Sequence, residues 1–306
     1  MRIVSLIASS TEIICALGLR DQMVGRSHEC DYPESVLELP VCTAPKFKTS
    51  GSSGAIDARV KEILQESLSV YRVDADMLNR LNPTHIITQT QCEVCAVSLK
   101  DVEAALKQML DVAPAIVSLQ PNSIADIIAD IKRVAAACDA NEAAEKLLKR
   151  LNEEINSIKS QTDKIELRPR VALIEWIDPI MPGANWMPEL VNLAGGKNLF
   201  GTEGQHSEVM PWIEVAEADP DVIIVAPCGF TIAQTLVEMP SMEDKRGWHD
   251  LNCVKNNRVF IADGNHYFNR PGPRVLESLQ IMCEILHPEL FQFGFEGTGW
   301  VRYTAK

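Results

Sequence analysis

The side chains able to do chemistry fall at comparable places along this sequence. His28 and Cys30 follow the strand-like Gln22 to Gly25, while Gln89, Gln91, Cys92 and Cys95 follow His85 to Thr88. Trp176 ends the run from Val171, Cys228 follows Val222 to Ala226, and His266 follows Arg258 to Ala262. Cys92-Glu93-Val94-Cys95 can place two thiolates on one metal or form a redox pair. His28 and Cys30, past a second strand, would complete a tetrahedral set of His28, Cys30, Cys92 and Cys95 for zinc or another soft metal. The competing reading is thiols that line a cleft or pack as small hydrophobes, the role assigned to Cys15, Cys138 and Cys283. Cys228 becomes a nucleophile only if His206 or His266 reaches it as a base. With no nucleophile elbow or complete catalytic signature, the chain is not expected to be an enzyme.

All these positions lie just past strand carboxyl ends. In an open parallel sheet that edge binds ligands, because the loops splay apart there and helix N-termini present their N–H groups. Short β-branched runs alternate with helical patterns on both sides of a stretch from Asn122 to Arg168 that lacks Gly and Pro. Its apolar residues, from Ile124 through Ile131, Val134, Leu147 and Leu151 to Ile158, form one helical stripe. Some forty helical residues would extend roughly 60 Å, too long for one small domain. The expected fold is therefore α/β, with two lobes joined by one long connecting helix and a ligand cleft between them. The expected domains are a lobe over 1–121, the connecting helix over 122–168 and a second lobe over 169–306, ending near Trp300 in a short tail.

Composition agrees. A chain of 306 residues with 46% hydrophobic content fills two cores. The net charge of −13 argues against nucleic acid as a partner. No apolar run of about 18 residues is present to span a bilayer, so membrane insertion is not expected. The N-terminus enters a strand at once without a leader pattern, which makes the cytoplasm the expected location, or the periplasm or cell surface if a leader has been removed. Nine cysteines, an odd number, fit thiols better than a disulfide framework.

Several stretches carry a family resemblance. Ile3-Val4-Ser5-Leu6 through Thr11-Glu12 to Ala16-Leu17-Gly18-Leu19, then Val24-Gly25-Arg26-Ser27 and Asp31-Tyr32-Pro33, form the first group. Leu193 through Gly195-Gly196 to Phe200, Pro211-Trp212, Ala218-Asp219-Pro220-Asp221-Val222 and Trp248 to Phe260 form the second. In this order they resemble the substrate-binding proteins of class III ABC importers, and most closely the cobalamin-binding branch.

That resemblance implies two Rossmann-like lobes with parallel sheets, and cobalamin or another corrinoid held between them for transport, delivery or sensing. Trp212 stands where the family has a ligand-contacting Trp, with Trp176, Trp186 and Phe268 adding flat apolar surface. Ser10, His28, Glu29, Gln89, Cys92, His206, Cys228, His266 and Arg270 complete the expected ligand-binding set. The family's aromatic before Asp-Tyr-Pro is absent, and His28-Glu29-Cys30 stands there, which makes the pocket more polar. The alternatives are a transition-metal, siderophore or other chelate binder. The expected partners are the small-molecule ligand and, where a leader exists, an importer permease; the chain is expected to be a monomer. Trp248 is assigned to the core.

Overall fold

The computed structural model describes residues 1–66, 70–90, 102–103 and 114–305. They form two compact units. The first comprises Met1–Gly51, Ala55–Pro121 and Ala125–Arg150; the second comprises Ser52–Gly54, Asn122–Ile124 and Leu151–Lys306.

In the first unit, β1 (Ile3–Ser5), β2 (Met23–Arg26), β5 (His85–Gln89) and β6 (Ala115–Leu119) make a parallel sheet in the order β2-β1-β5-β6. Its central strands are buried on both faces, which is why Ile3-Val4 and Ile86-Ile87 read as continuous β-branched runs. β3 (Thr43–Pro45) and β4 (Tyr71–Val73) pair separately as an antiparallel ribbon. Val4, Leu6, Cys42, Val70, Leu78 and Ile86 form one core cluster. Gly25 lets this layer close, since a Cβ there would sit 2.7 Å from both Cys42 Sγ and Leu81 Cδ1. The helix Ala8–Ala16 follows β1, with Ile7 at its N-cap.

The single long connecting helix is not found. Two helices, Ile124–Ala137 and Asn141–Thr162, are separated at Cys138–Ala140. Asp139 takes φ 53°, the left-handed conformation that ends helices, and Ala140 N donates back to Ala135 O at 2.8 Å. A short polar side chain tolerates this conformation, so a helix can end without Gly or Pro. The last crossing of the chain between the units falls inside the second of these helices, at Arg150 and Leu151.

The second unit holds β7 (Arg170–Trp176), β8 (Met181–Pro182), β9 (Lys197–Asn198), β10 (Val222–Val225), β11 (Val259–Ala262) and β12 (Trp300–Tyr303). Their order is β12-β11-β10-β7-β8, with β9 also on β7. β7, β10 and β11 are mutually parallel, and β12 runs antiparallel to β11. The expected C-terminal tail is thus an edge strand. Trp300 is buried against Phe260, and Arg302 lies over the Phe260 ring. Trp248 is fully buried among Ile223, Val225, Val259 and Ile261, as assigned from sequence.

Candidate functional site: the carboxyl edges of two sheets

Each sheet has a point where its connections diverge. In the first unit the chain leaves β1 toward β2 and leaves β5 toward β6; in the second it leaves β7 toward β8 and leaves β10 toward β11. Crevices open outside the carboxyl ends at such points.

At the first unit's edge, hydroxyls and a thiol form one buried network. Ser5 Oγ and Ser10 Oγ share a 2.5 Å hydrogen bond, Ser10 donates to Ile7 O at 2.9 Å, and Thr11 Oγ1 lies 2.7 Å from Ser5 Oγ and 2.9 Å from Cys30 Sγ. These groups tie the start of the first helix to β1 and are fully buried. Ser10 therefore serves as internal structure, inside the helix rather than capping it. Cys30 Sγ accepts the Thr11 hydroxyl within the same network. Cys92 and Cys95, the other thiols of the expected tetrahedral set, lie outside the described residues, and so does Gln91. Among the described residues no group of three or more His, Cys, Asp and Glu side chains is placed to hold a metal ion. Gln89, at the end of β5, is 3% exposed.

Past β2 stands a second cluster. His28 Nδ1 lies 2.7 Å from Thr43 Oγ1, and the imidazole packs at 5.2 Å from the Tyr71 ring. Tyr71 Oη donates to Glu29 Oε1 at 2.8 Å. Burial, then the neighbouring Arg26 guanidinium, lowers the His28 pKa, so the imidazole is held neutral.

At the second unit's edge the surface is aromatic. Trp176 is half-buried, donates Nε1–H to Asp178 O at 3.0 Å, and meets Phe230 edge-on at 5.4 Å. Cys228 is exposed, and its N–H donates to Glu175 O, joining the ends of β7 and β10. His266 is half-buried, with Nδ1 3.3 Å from Asp263 Oδ2, and Asp263 Oδ1 accepts the N–H groups of Asn265 and His266. Trp212 opens the helix Trp212–Ala218, half-buried, its Nε1–H donated to Arg246 O and its ring 5.8 Å from Trp248. His206 is exposed in the loop before it.

Other expected residues face inward. Trp186 is 6% exposed and donates to the carbonyl of Phe268, itself fully buried, so this pair packs the unit's interior. Arg270 is 7% exposed and donates to Asn265 Oδ1. Glu175 was not singled out by sequence reasoning. Burial pushes its carboxyl up to about 7, against the opposing pull of the Ser207 hydroxyl and the Ala184 N–H. Its signal was present, a lone acid closing the apolar run Val171 to Ile174. Thr43 and Tyr71 carried no comparable signal, because the β3–β4 ribbon brings them in from distant sequence.

Comparisons with known proteins agree with this architecture. A periplasmic binding protein family model matches residues 3–265. An uncharacterized ABC transporter substrate-binding lipoprotein of Bacillus subtilis is 22% identical over 302 residues, covering 95% of this chain and 81% of its own length. The vitamin B12-binding protein of Vibrio parahaemolyticus is 22% identical over 289 residues, covering 92% and 88%. The apo structure of a periplasmic heme-binding protein from Roseiflexus sp. superposes with a TM-score of 0.69 at 21% identity, covering 94% of this chain and 98% of that one. No helix among the described residues is long and apolar enough to cross a membrane. With the family model spanning most of the chain, this protein belongs to the periplasmic binding protein family, whose members are non-enzymatic substrate-binding proteins.

Proposed function

We propose that this chain binds cobalamin or a related corrinoid and delivers it to an ABC importer. The observation that carries the reading is the pair of half-buried indoles of the second unit, Trp176 at the end of β7 and Trp212 at the start of the helix Trp212–Ala218. Each has its N–H committed to a backbone carbonyl, so the ring surface that stays exposed is apolar. A macrocycle suits such faces, and the likeness to a vitamin B12-binding protein along nearly the whole chain supports a corrin. The likeness to a heme-binding protein supports a second macrocycle as the rival.

Titrating the protein with aquocobalamin, cobinamide, hemin and a ferric siderophore separates these readings. The expected result is tryptophan quenching by the corrinoids at micromolar concentration or below. Trp212→Ala should weaken binding by about 1 to 3 kcal/mol, the range for an aromatic ring buried against a ligand. Quenching by hemin alone would replace the corrinoid with heme, and no response to any corrinoid at high micromolar concentration would end the corrinoid reading. Delivery to an importer places the chain outside the cytoplasmic membrane, whereas a cytosolic carrier would remain inside; cell fractionation distinguishes them.

A further inference from the structure

The cluster past β2 has a definite proton arrangement. Thr43 Oγ1 donates its one proton to Ser27 Oγ at 2.9 Å. It lies 2.7 Å from His28 Nδ1 and also accepts the His28 backbone N–H at 3.1 Å. With the threonine proton directed to Ser27, the short contact requires the proton on Nδ1 of the imidazole. Nε2 of the neutral ring then carries a lone pair, and it is buried with no hydrogen-bond partner. An orphaned acceptor of this kind calls for a donor.

The neighbour of Nε2 cannot supply one. Glu29 Oε1 lies 4.0 Å away and is itself an acceptor, held by the Tyr71 hydroxyl. Two acceptors that close repel each other unless donors reach both. A primary carboxamide has the matching form, because its NH2 carries two N–H groups about 120° apart. A ligand carboxylate has only lone pairs and a negative charge, so it meets repulsion from both. Glu29 is 40% exposed at its side chain, so it can turn to admit a ligand group.

We infer that His28 Nε2 and Glu29 Oε1 form a two-acceptor receptor for a primary carboxamide on the rim of the bound macrocycle, selecting amide-bearing over carboxylate-bearing ligands. The inference rests on the macrocycle-binding reading and adds the group that selects among macrocycles. A corrin carries primary amides on its rim, whereas hemin presents carboxylates.

The test compares cobalamin with its monocarboxylates, in each of which one propionamide is hydrolysed, and hemin with its bis-amide, all by tryptophan quenching. At least one monocarboxylate should bind tenfold or more weakly than cobalamin, and hemin more weakly than its bis-amide. Glu29→Gln, which replaces an acceptor with a group that can also donate, should reduce that discrimination to threefold or less. His28→Ala should weaken cobalamin more than the discriminated monocarboxylate. Monocarboxylates all binding within twofold of cobalamin, or discrimination unchanged in both variants, would overturn the inference while leaving the corrinoid reading intact. No binding by any amide-bearing macrocycle would overturn both.

Discussion

Two glutamates of the second unit show how the same side chain is used for different ends. Glu284, on the helix Val275–Leu286, is 4% exposed and accepts the backbone N–H groups of Phe293, Gly294 and Phe295 and the indole N–H of Trp300. Its charge is matched by donors from the segment it anchors, and that segment leads directly into β12. Glu175, at the carboxyl end of β7, has less help, and burial raises its pKa to about 7. One carboxylate is a fastening; the other is a group that changes charge near neutrality at the carboxyl edge of its sheet.

The strongest way to break this comparison is to remove the fastening. Glu284→Ala leaves four donors without their acceptor and is expected to cost about 3 to 5 kcal/mol in urea unfolding, with Glu284→Gln losing about half of that. A loss under about 1 kcal/mol for the alanine variant would show that the cradle is incidental.

Glu175→Gln sharpens the other side through its pH dependence. The folded-state pKa is raised from the ordinary 4.5, so the group's contribution is fully present below 4.5 and is lost as pH rises through about 7. The Gln variant should match the wild type near pH 4 and exceed its stability by about 2 to 3 kcal/mol above pH 8. Parallel pH profiles for the two proteins would refute the assignment.

The smallest effect belongs to an exposed acid with a single partner. Asp74 caps the helix Ala75–Leu81 by accepting the Met77 N–H at 2.8 Å, and Asp74→Ala should cost about 1 kcal/mol in thermal melts. A cost as large as that of Glu284→Ala would mean that the number of donors does not set the ranking.

The sheets were legible in the sequence because their central strands are buried on both faces. Ile3 to Ser5, His85 to Thr88, Val171 to Trp176 and Val222 to Val225 read as apolar runs for that reason. The break at Asp139 was not, since the apolar stripe resumes on the far side of a turn that needs no Gly or Pro. β12 was missed because an edge strand such as Trp-Val-Arg-Tyr has only one buried face and lies far from its partner's neighbours in sequence. At the candidate site, strand-end positions were legible but side-chain direction was not. Ser10, Cys30, Trp186 and Phe268 occupy suitable positions and point into the interior, whereas Trp176, Glu29 and His266 retain exposed surface.

The helix Asn141–Thr162 bears on how such a protein can be cut or recombined. Limited digestion needs a segment that can unwind into a protease cleft, and the last crossing between the units, at Arg150 and Leu151, lies inside hydrogen-bonded helix. Trypsin should therefore spare Lys149 and Arg150, although both are exposed. A gene fusion that exchanges the long Leu151–Lys306 segment of the second unit for a relative's must join the two sequences within that helix, in phase with its turns. A splice at Pro169 would discard Leu151, Ile158 and Thr162, which are buried and belong to the second unit.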